Sequence, residues 1–199
     1  MLLHEKLKDK RLILASNSPR RRQLLTDAGI SFEPAEKYEC DERVPADIPI
    51  SDTAEYIAAL KSRAYPKPLA ANEILMTADT VVIVGGEVLG KPADAAVATQ
   101  MLRKLSGCTH QVITGVCLTT RDRTEHFSVT TEVTFRELSD DEIQYYIKKY
   151  QPFDKAGAYG IQEWIGYVGC TGLSGSYYNV MGLPVQRIYA ELLRFQSSA

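Results

Sequence analysis

The chain is short of cysteine and histidine, has no excess of positive charge and contains no long apolar run. Each shortage closes off a class of function. Its 199 residues include four cysteines, Cys40, Cys108, Cys117 and Cys170, widely spaced and with no Cys-x-x-Cys pair. That pattern argues against a disulfide framework, and reduced thiols in a cytoplasmic protein are the simplest reading. The three histidines, His4, His110 and His126, show no metal-ligand spacing, so a zinc site is not expected. The formal net charge is −2. No overall field draws the chain to nucleic acid, and any polyanion must be met by a local cluster of cations. No apolar stretch approaches the roughly 18 residues of a membrane span, and Met1 to Arg11 is too charged for a secretory signal. Neither nucleic acid nor membrane is therefore expected as a partner. Repeats and low-complexity segments are missing too. What remains is an ordinary globular composition, 45% hydrophobic and 24% charged, with enough chain for one large domain or two small lobes.

The order of apolar runs and breakers predicts alternating strands and helices. A strand over Arg11–Ser16 leads into a helix from about Ser18 that stops at Gly29. Asp52 with Glu55 has the spacing of a capping box, for a helix ending near Tyr65 before Pro66. Ile74–Met76 and Val81–Val84 read as strand, and Gly85-Gly86 before Glu87-Val88-Leu89 reads as a two-residue hairpin. A helix follows over Ala93–Leu105, closed by Gly107. Two strands, about Gln111–Thr119 and Glu125–Phe135, flank the turn Arg121-Asp122-Arg123. Ser139 with Glu142 is a second capping box, for a helix to about Tyr150. Beyond Pro152 a glycine-rich stretch runs to Gly182, with Gly166, Gly169, Gly172 and Gly175 as turn residues. Pro184 then opens a last helix carrying Ile188, Leu192 and Leu193 on one face. Hairpins in mid-chain exclude a purely parallel sheet, so the expectation is a mixed α/β sheet covered by helices.

The most informative segment is Ser16-Asn17-Ser18-Pro19-Arg20-Arg21-Arg22, between a buried strand and a helix start. Ser18 suits the N-cap and Pro19 the first helical position. Three arginines do not suit that end, where the helix dipole is positive and acids are preferred. Guanidinium groups stacked on exposed backbone donors await an anion, most simply a phosphate; the alternative is outward-pointing arginines paired with surface acids. Asp79 lies between two apolar runs. Burying such a carboxylate is costly unless it is paired or coordinates a cation, and aspartates that end apolar strands serve phosphate enzymes as Mg²⁺ ligands and bases. A turn aspartate capping the strand end is the structural alternative. Gly85 to Lys91 spells G-x-x-x-x-G-K, but Pro92 supplies neither the hydroxyl nor the donors of a P-loop, so a P-loop kinase is rejected. Lys91 stays open as a phosphate contact or a solvated lysine. Phe153 to Gln162 combines small residues with Lys155 and an amide, Gln162, able to read a base edge, though alone it reads as a packed loop. Asp41 and Glu42, after Cys40, read by default as surface acids.

Taken in order, Leu14-Ala15-Ser16-Asn17-Ser18-Pro19-Arg20-Arg21, Ala78-Asp79-Thr80, Leu89-Gly90-Lys91-Pro92, Met101 to Gly107, Asp154 to Gln162 and Gly182-Leu183-Pro184 resemble the Maf family of nucleoside triphosphate pyrophosphatases. The resemblance spans nearly the whole chain as a single Maf-like domain over 1–199. It implies a mixed twisted α/β sheet with flanking helices in two lobes around a central cleft, similar to inosine triphosphate pyrophosphatases, and a homodimer. The implied activity is house-cleaning hydrolysis of dTTP and UTP, and of modified pyrimidine nucleotides, to the monophosphate and pyrophosphate. A divalent cation, Mg²⁺ or Mn²⁺, is implied as cofactor. Carried onto matching positions, Asp79 is the catalytic base and a metal ligand, with Glu42 (or Asp41) assisting the metal. Ser16, Arg20, Arg21, Lys61, Lys91 and Lys155 hold phosphates. Arg20, Thr80 and Gln162 match the dTTP/UTP branch; the 7-methyl-GTP branch carries Gln and Glu at the last two of these positions. Ala78 replaces a usual glycine, and Glu163-Trp164 follow Gln162 where the branch continues with glycine. A non-catalytic, nucleotide-binding regulator of septum formation is the competing expectation.

Overall fold

A computed structural model describes residues 2–194. Its framework is a seven-stranded mixed sheet in the order β2-β1-β3-β5-β6-β7, with β4 folded back on β3. The strands are β1 (Arg11–Leu14), β2 (Glu33–Pro34), β3 (Glu73–Val84), β4 (Glu87–Leu89), β5 (Thr109–Thr119), β6 (Thr124–Phe135) and β7 (Cys170–Ser174). β1 pairs parallel with both neighbours, Ile13 lying opposite Glu33 on β2 and Leu75 on β3. A strand paired on both sides and covered on both faces needs a continuous apolar run, and Leu12, Ile13 and Leu14 are all buried. The β3–β4 and β6–β7 pairs are antiparallel. Gly85 and Gly86 sit at φ of +56° and +77°, the conformation a two-residue hairpin demands at both central positions.

Two compact units make up the chain. One takes the chain to Asp79, Thr114–Val129 and the segment from Gly182; the other takes Thr80–Ile113 and Thr130–Met181. The first carries helices α1 (Leu3–Lys6), α2 (Pro19–Asp27), α3 (Thr53–Arg63) and α8 (Val185–Arg194). In it Ile13, Ala15 and Leu75 form a buried cluster with Tyr38, Tyr65 and Leu69 against them. The second carries α4 (Ala95–Leu105), α5 (Asp140–Tyr150), α6 (Trp164–Gly169) and α7 (Tyr177–Met181). Its core joins Leu102 and Leu105 of α4 and Ile143 and Tyr146 of α5 to Val133 and Phe135 of β6. No helix among the described residues is long and apolar enough to cross a membrane.

Most helix boundaries follow the capping chemistry in the sequence. The Ser18 hydroxyl accepts the Arg21 N–H, with Pro19 at the first helical position. The Ser139–Glu142 box is complete, with Glu142 N–H to Ser139 Oγ at 3.3 Å and Ser139 N–H to Glu142 Oε2 at 2.9 Å. Asp94 caps α4, which therefore begins at Ala95 rather than Ala93. Ile188 and Leu192 face the core from α8 and Leu193 is half-buried, as the spacing predicts.

Three expectations fail. Asp52 and Glu55 make no capping box: a 3₁₀ turn over Ile50–Asp52 leads directly into α3, and Asp52 makes no side-chain cap. Its carboxylate instead accepts from Ser51 Oγ at 2.9 Å, while Glu55 pairs with His126 at 2.5 Å. Asp79 is not at a strand end, because β3 runs unbroken through it. The glycine-rich stretch is not a string of turns. Gly166 and Gly169 lie in α6, and Gly172 lies in the edge strand β7.

Candidate active site

The turn after β1 and the interior of β3 place the first group of functional side chains. Ser16 Oγ accepts from the Ser18 N–H at 3.2 Å and from Arg21 Nη1 at 3.3 Å. Arg21 reaches further, donating from Nη1 to the Ala78 carbonyl and from Nε to the Gly182 carbonyl, both at 2.8 Å. It thus ties the start of α2 to the residue preceding Asp79. Arg22 lies on the exposed side, with Nη2 on the Ser16 carbonyl at 3.3 Å. The three arginines therefore divide: Arg21 turns inward, Arg22 is exposed, and Arg20 is half-buried on the first helical turn. Burial of the Arg21 guanidinium is the main influence lowering its pKa, opposed by the negative charge of Asp79 and reinforced by Arg20. These dependences place Arg20, Arg21 and Asp79 within one electrostatic neighbourhood.

Lys61, on the last turn of α3, completes that neighbourhood. Its ammonium lies 2.7 Å from Asp79 Oδ1 and 3.2 Å from Glu42 Oε2. Asp79 and Lys61 are largely shielded, at 17% and 18% side-chain exposure, and Glu42 is about half exposed. α3 is held to β3 by Thr77 Oγ1, which donates to the Ala58 carbonyl at 2.6 Å. It is also held to β5, where Gly115 lies against the Ala54–Glu55 backbone so closely that a Cβ would be 2.3 Å from Ala54 C. Of the two acids after Cys40, Glu42 alone meets Lys61. Asp41 turns to Arg43, 2.9 Å from its Nε, in an exposed pair.

The second group belongs to the other unit. Lys155 is buried and lies 2.8 Å from Asp154 Oδ1 and 3.1 Å from Glu163 Oε1. The Gly90 carbonyl accepts the Gly157 N–H at 3.0 Å, which ties the segment of the exposed Lys91 to that of Lys155. Gln162 carries a buried Oε1 with no hydrogen-bond partner, an acceptor left unmet by the protein. Thr80 is half-buried in β3.

A family model described as Maf-like protein matches residues 11–195. The chain belongs to the Maf family. Among its relatives, the dTTP/UTP pyrophosphatase of Phocaeicola vulgatus is 55% identical over 188 residues, 94% of this chain and 97% of that protein. The dTTP/UTP pyrophosphatase of Bacteroides thetaiotaomicron is 51% identical, covering 91% of this chain and 94% of its own. A third, from Parabacteroides distasonis, is 51% identical over 96% of this chain and 99% of its own. Among solved structures, a nucleoside-triphosphatase/dITP/XTP pyrophosphatase from Mycobacterium abscessus aligns with 91% of this chain and 93% of its own at a TM-score of 0.42 and 14% identity.

In this Maf chain, Ser16, Arg21, Lys61, Asp79 and Glu42 converge in one unit, and Lys91 and Lys155 are linked within the other. One residue of the second group carries no mark in the sequence: Glu163, which forms an ion pair with Lys155 and accepts the Tyr146 hydroxyl. Its only signal there was the departure from glycine after Gln162.

Proposed function

We propose that this Maf chain is a nucleoside triphosphate pyrophosphatase that hydrolyses dTTP and UTP, and modified pyrimidine nucleotides, to the monophosphate and pyrophosphate. The observation that carries the reading is Asp79 held at 2.7 Å by Lys61, beside Glu42 and Arg21, in a chain about half identical to proteins named dTTP/UTP pyrophosphatase. A triphosphate brings close to four negative charges to a protein of net charge −2, so its recognition depends on locally gathered cations. Ser16, Arg20, Arg21 and Lys61 are assigned to the phosphates, as are Lys91 and Lys155; Thr80 and Gln162 are assigned to the nucleotide as further contacts. The unmet Gln162 Oε1 suits a base edge that presents an N–H donor.

The residues present fit a divalent metal. Asp79 and Glu42 direct hard oxygen donors toward one point, where the Lys61 ammonium now stands as a cation. No cluster of three or more His, Cys, Asp or Glu side chains suited to a metal occurs among the described residues. Two carboxylates completed by substrate phosphates and water are what Mg²⁺ or Mn²⁺ takes in nucleotide enzymes. Asp79 and Glu42 would hold it, and it would supply charge neutralisation and acidify water. Asp79 orients the attacking water toward the α-phosphorus and takes its proton. The arginines and lysines stabilise the charge that grows on the departing pyrophosphate. The same proposal sets the enzyme in the cytoplasm as a homodimer.

Asp79→Asn tests the reading, since it keeps the shape and removes the base. Pyrophosphate release from dTTP and UTP is expected to fall on the order of 10²–10⁴-fold. Turnover near the unaltered rate would remove Asp79 from the mechanism. Binding of triphosphate without any metal-dependent pyrophosphate release by the unaltered protein would favour the regulatory role.

A further inference from the structure

Among the described residues Lys155 is the only lysine, arginine or acid whose residue as a whole is buried, at 8% exposure. An enclosed ammonium is costly without a partner. Asp154 is a weak one, because at 57% side-chain exposure its charge is screened by water. Glu163, at 18%, is the partner that matters. Its backbone carbonyl accepts the Gly166 N–H at 2.9 Å at the start of α6, while its side chain turns back to Lys155.

Glu163 is itself anchored. Its second carboxylate oxygen accepts the Tyr146 hydroxyl, and that hydroxyl oxygen accepts the Gly160 N–H at 2.9 Å. Tyr146 is fully buried on α5 and stacks on Tyr150 with ring centroids 5.1 Å apart. Burial, then the bond to Glu163, push the phenol pKa far upward, so Tyr146 stays a neutral donor. At Gly160 a Cβ would lie 2.9 Å from Glu163 Cδ and 3.1 Å from Gln162 Nε2, so the carboxylate and the segment it braces fit without spare room. The Lys155 ammonium donates to Asp154 Oδ1 and stands 3.1 Å from Glu163 Oε1, and an ammonium has three donors, so these two carboxylates leave room for a ligand oxygen.

We propose that Glu163 is a positioning residue. It fixes the Lys155 ammonium and the Gly160–Gln162 segment against Tyr146, so that Lys155 offers its remaining donor to a phosphate oxygen and Gln162 keeps its amide turned to the base. The inference rests on the reading of Lys155 as a phosphate contact given under Proposed function. Glu163 touches no substrate atom in this account and acts only through its neighbours.

The test is steady-state pyrophosphate release from dTTP by the full chain and by Lys155→Ala, Glu163→Gln, Tyr146→Phe and the Lys155→Ala/Glu163→Gln double variant. Loss of one charge-assisted contact predicts a KM raised about tenfold in Lys155→Ala. In Glu163→Gln, KM rises about fivefold with kcat within about twofold, because the contact is misplaced rather than lost. The double variant is no worse than Lys155→Ala alone, since Glu163 has nothing left to position. A residue that merely stabilised the fold would add its own penalty instead. Unchanged KM in Glu163→Gln beside a raised KM in Lys155→Ala overturns this proposal and leaves the pyrophosphatase reading standing, as do multiplying effects in the double variant. Unchanged KM in Lys155→Ala removes the phosphate role of Lys155 and this proposal with it, and absence of turnover in the unaltered chain overturns both readings. Should Glu163→Gln fail to fold, Tyr146→Phe keeps the ring stack and carries the test. Its KM is expected to rise about threefold, and no rise overturns the proposal.

Discussion

Arg21→Ala removes donors from the Ala78 and Gly182 carbonyls and from the Ser16 hydroxyl at one stroke. Ala78 is 1% exposed, so water reaches its carbonyl only if the fold loosens. A hydrogen bond from a charged donor contributes about 1.5–3 kcal/mol, and partial hydration of the Gly182 and Ser16 acceptors returns some of the loss; the expected cost is ~3 kcal/mol. For a chain of this size each kcal/mol moves the melting temperature by about 2–4 °C, so Arg21→Ala should melt about 6–12 °C below the unaltered protein. Arg20→Ala should behave oppositely. It takes a cation away from the positive end of α2, leaves the melting temperature within about 2 °C, and raises KM for the triphosphate. Arg21→Lys should not rescue stability, because a single ammonium cannot span three acceptors held by a planar fork. Thermal melts alongside pyrophosphate-release kinetics on both alanine variants read the two effects separately. Equal melting temperatures for Arg21→Ala and the unaltered chain would refute the reasoning, as would a loss of stability in Arg20→Ala as large as that in Arg21→Ala.

Two further outcomes follow from buried groups. His110 is 1% exposed, bonds Tyr159 OH through Nε2 at 2.7 Å, and has its pKa lowered by burial to about 4. The unfolded chain binds that proton first, near pH 6.5. Stability from the neutral ring is therefore complete above pH 6.5 and lost as pH falls toward 4, by about 3 kcal/mol. Urea midpoints between pH 7 and 4 should fall less steeply in His110→Phe, and an unaltered slope would show that another group governs the acid limb. Gly115→Ala puts a methyl 2.3 Å from the α3 backbone, so α3 must shift at a cost of about 1–3 kcal/mol, carrying Lys61 away from Asp79. Melting and turnover should fall together, and a fully active, fully stable variant would show that α3 has slack at this point.

Much of the scaffold was legible because its signals are local. The buried run Leu12–Leu14, the Ser18 cap with Pro19, the Gly85-Gly86 turn and the Ser139–Glu142 box each act within a few residues and appear as the sequence predicts. Asp52 with Glu55 has the same spacing yet forms no box, because a 3₁₀ turn already leads the chain into α3 and Glu55 finds His126, 71 residues away. β7 reads Cys-Thr-Gly-Leu-Ser, too poor in apolar alternation to signal a strand, and it exists because β6 offers it an edge. Within the site, Asp79 and the arginine run were visible as residues out of keeping with their surroundings. Which arginine turns inward was not, since three identical neighbours differ only in the helical rotation that aims each one. Glu163 acquires meaning only when the fold brings Tyr146 and Lys155 to it.

The placement of Lys61 between Asp79 and Glu42 bears on how the polypeptide matures. Shielded Asp79 and half-exposed Glu42 both approach the Lys61 ammonium, and without it the two carboxylates would repel each other. Here the chain brings its own counter-charge. That internal cation offsets part of the repulsion between the two carboxylates as the polypeptide assembles.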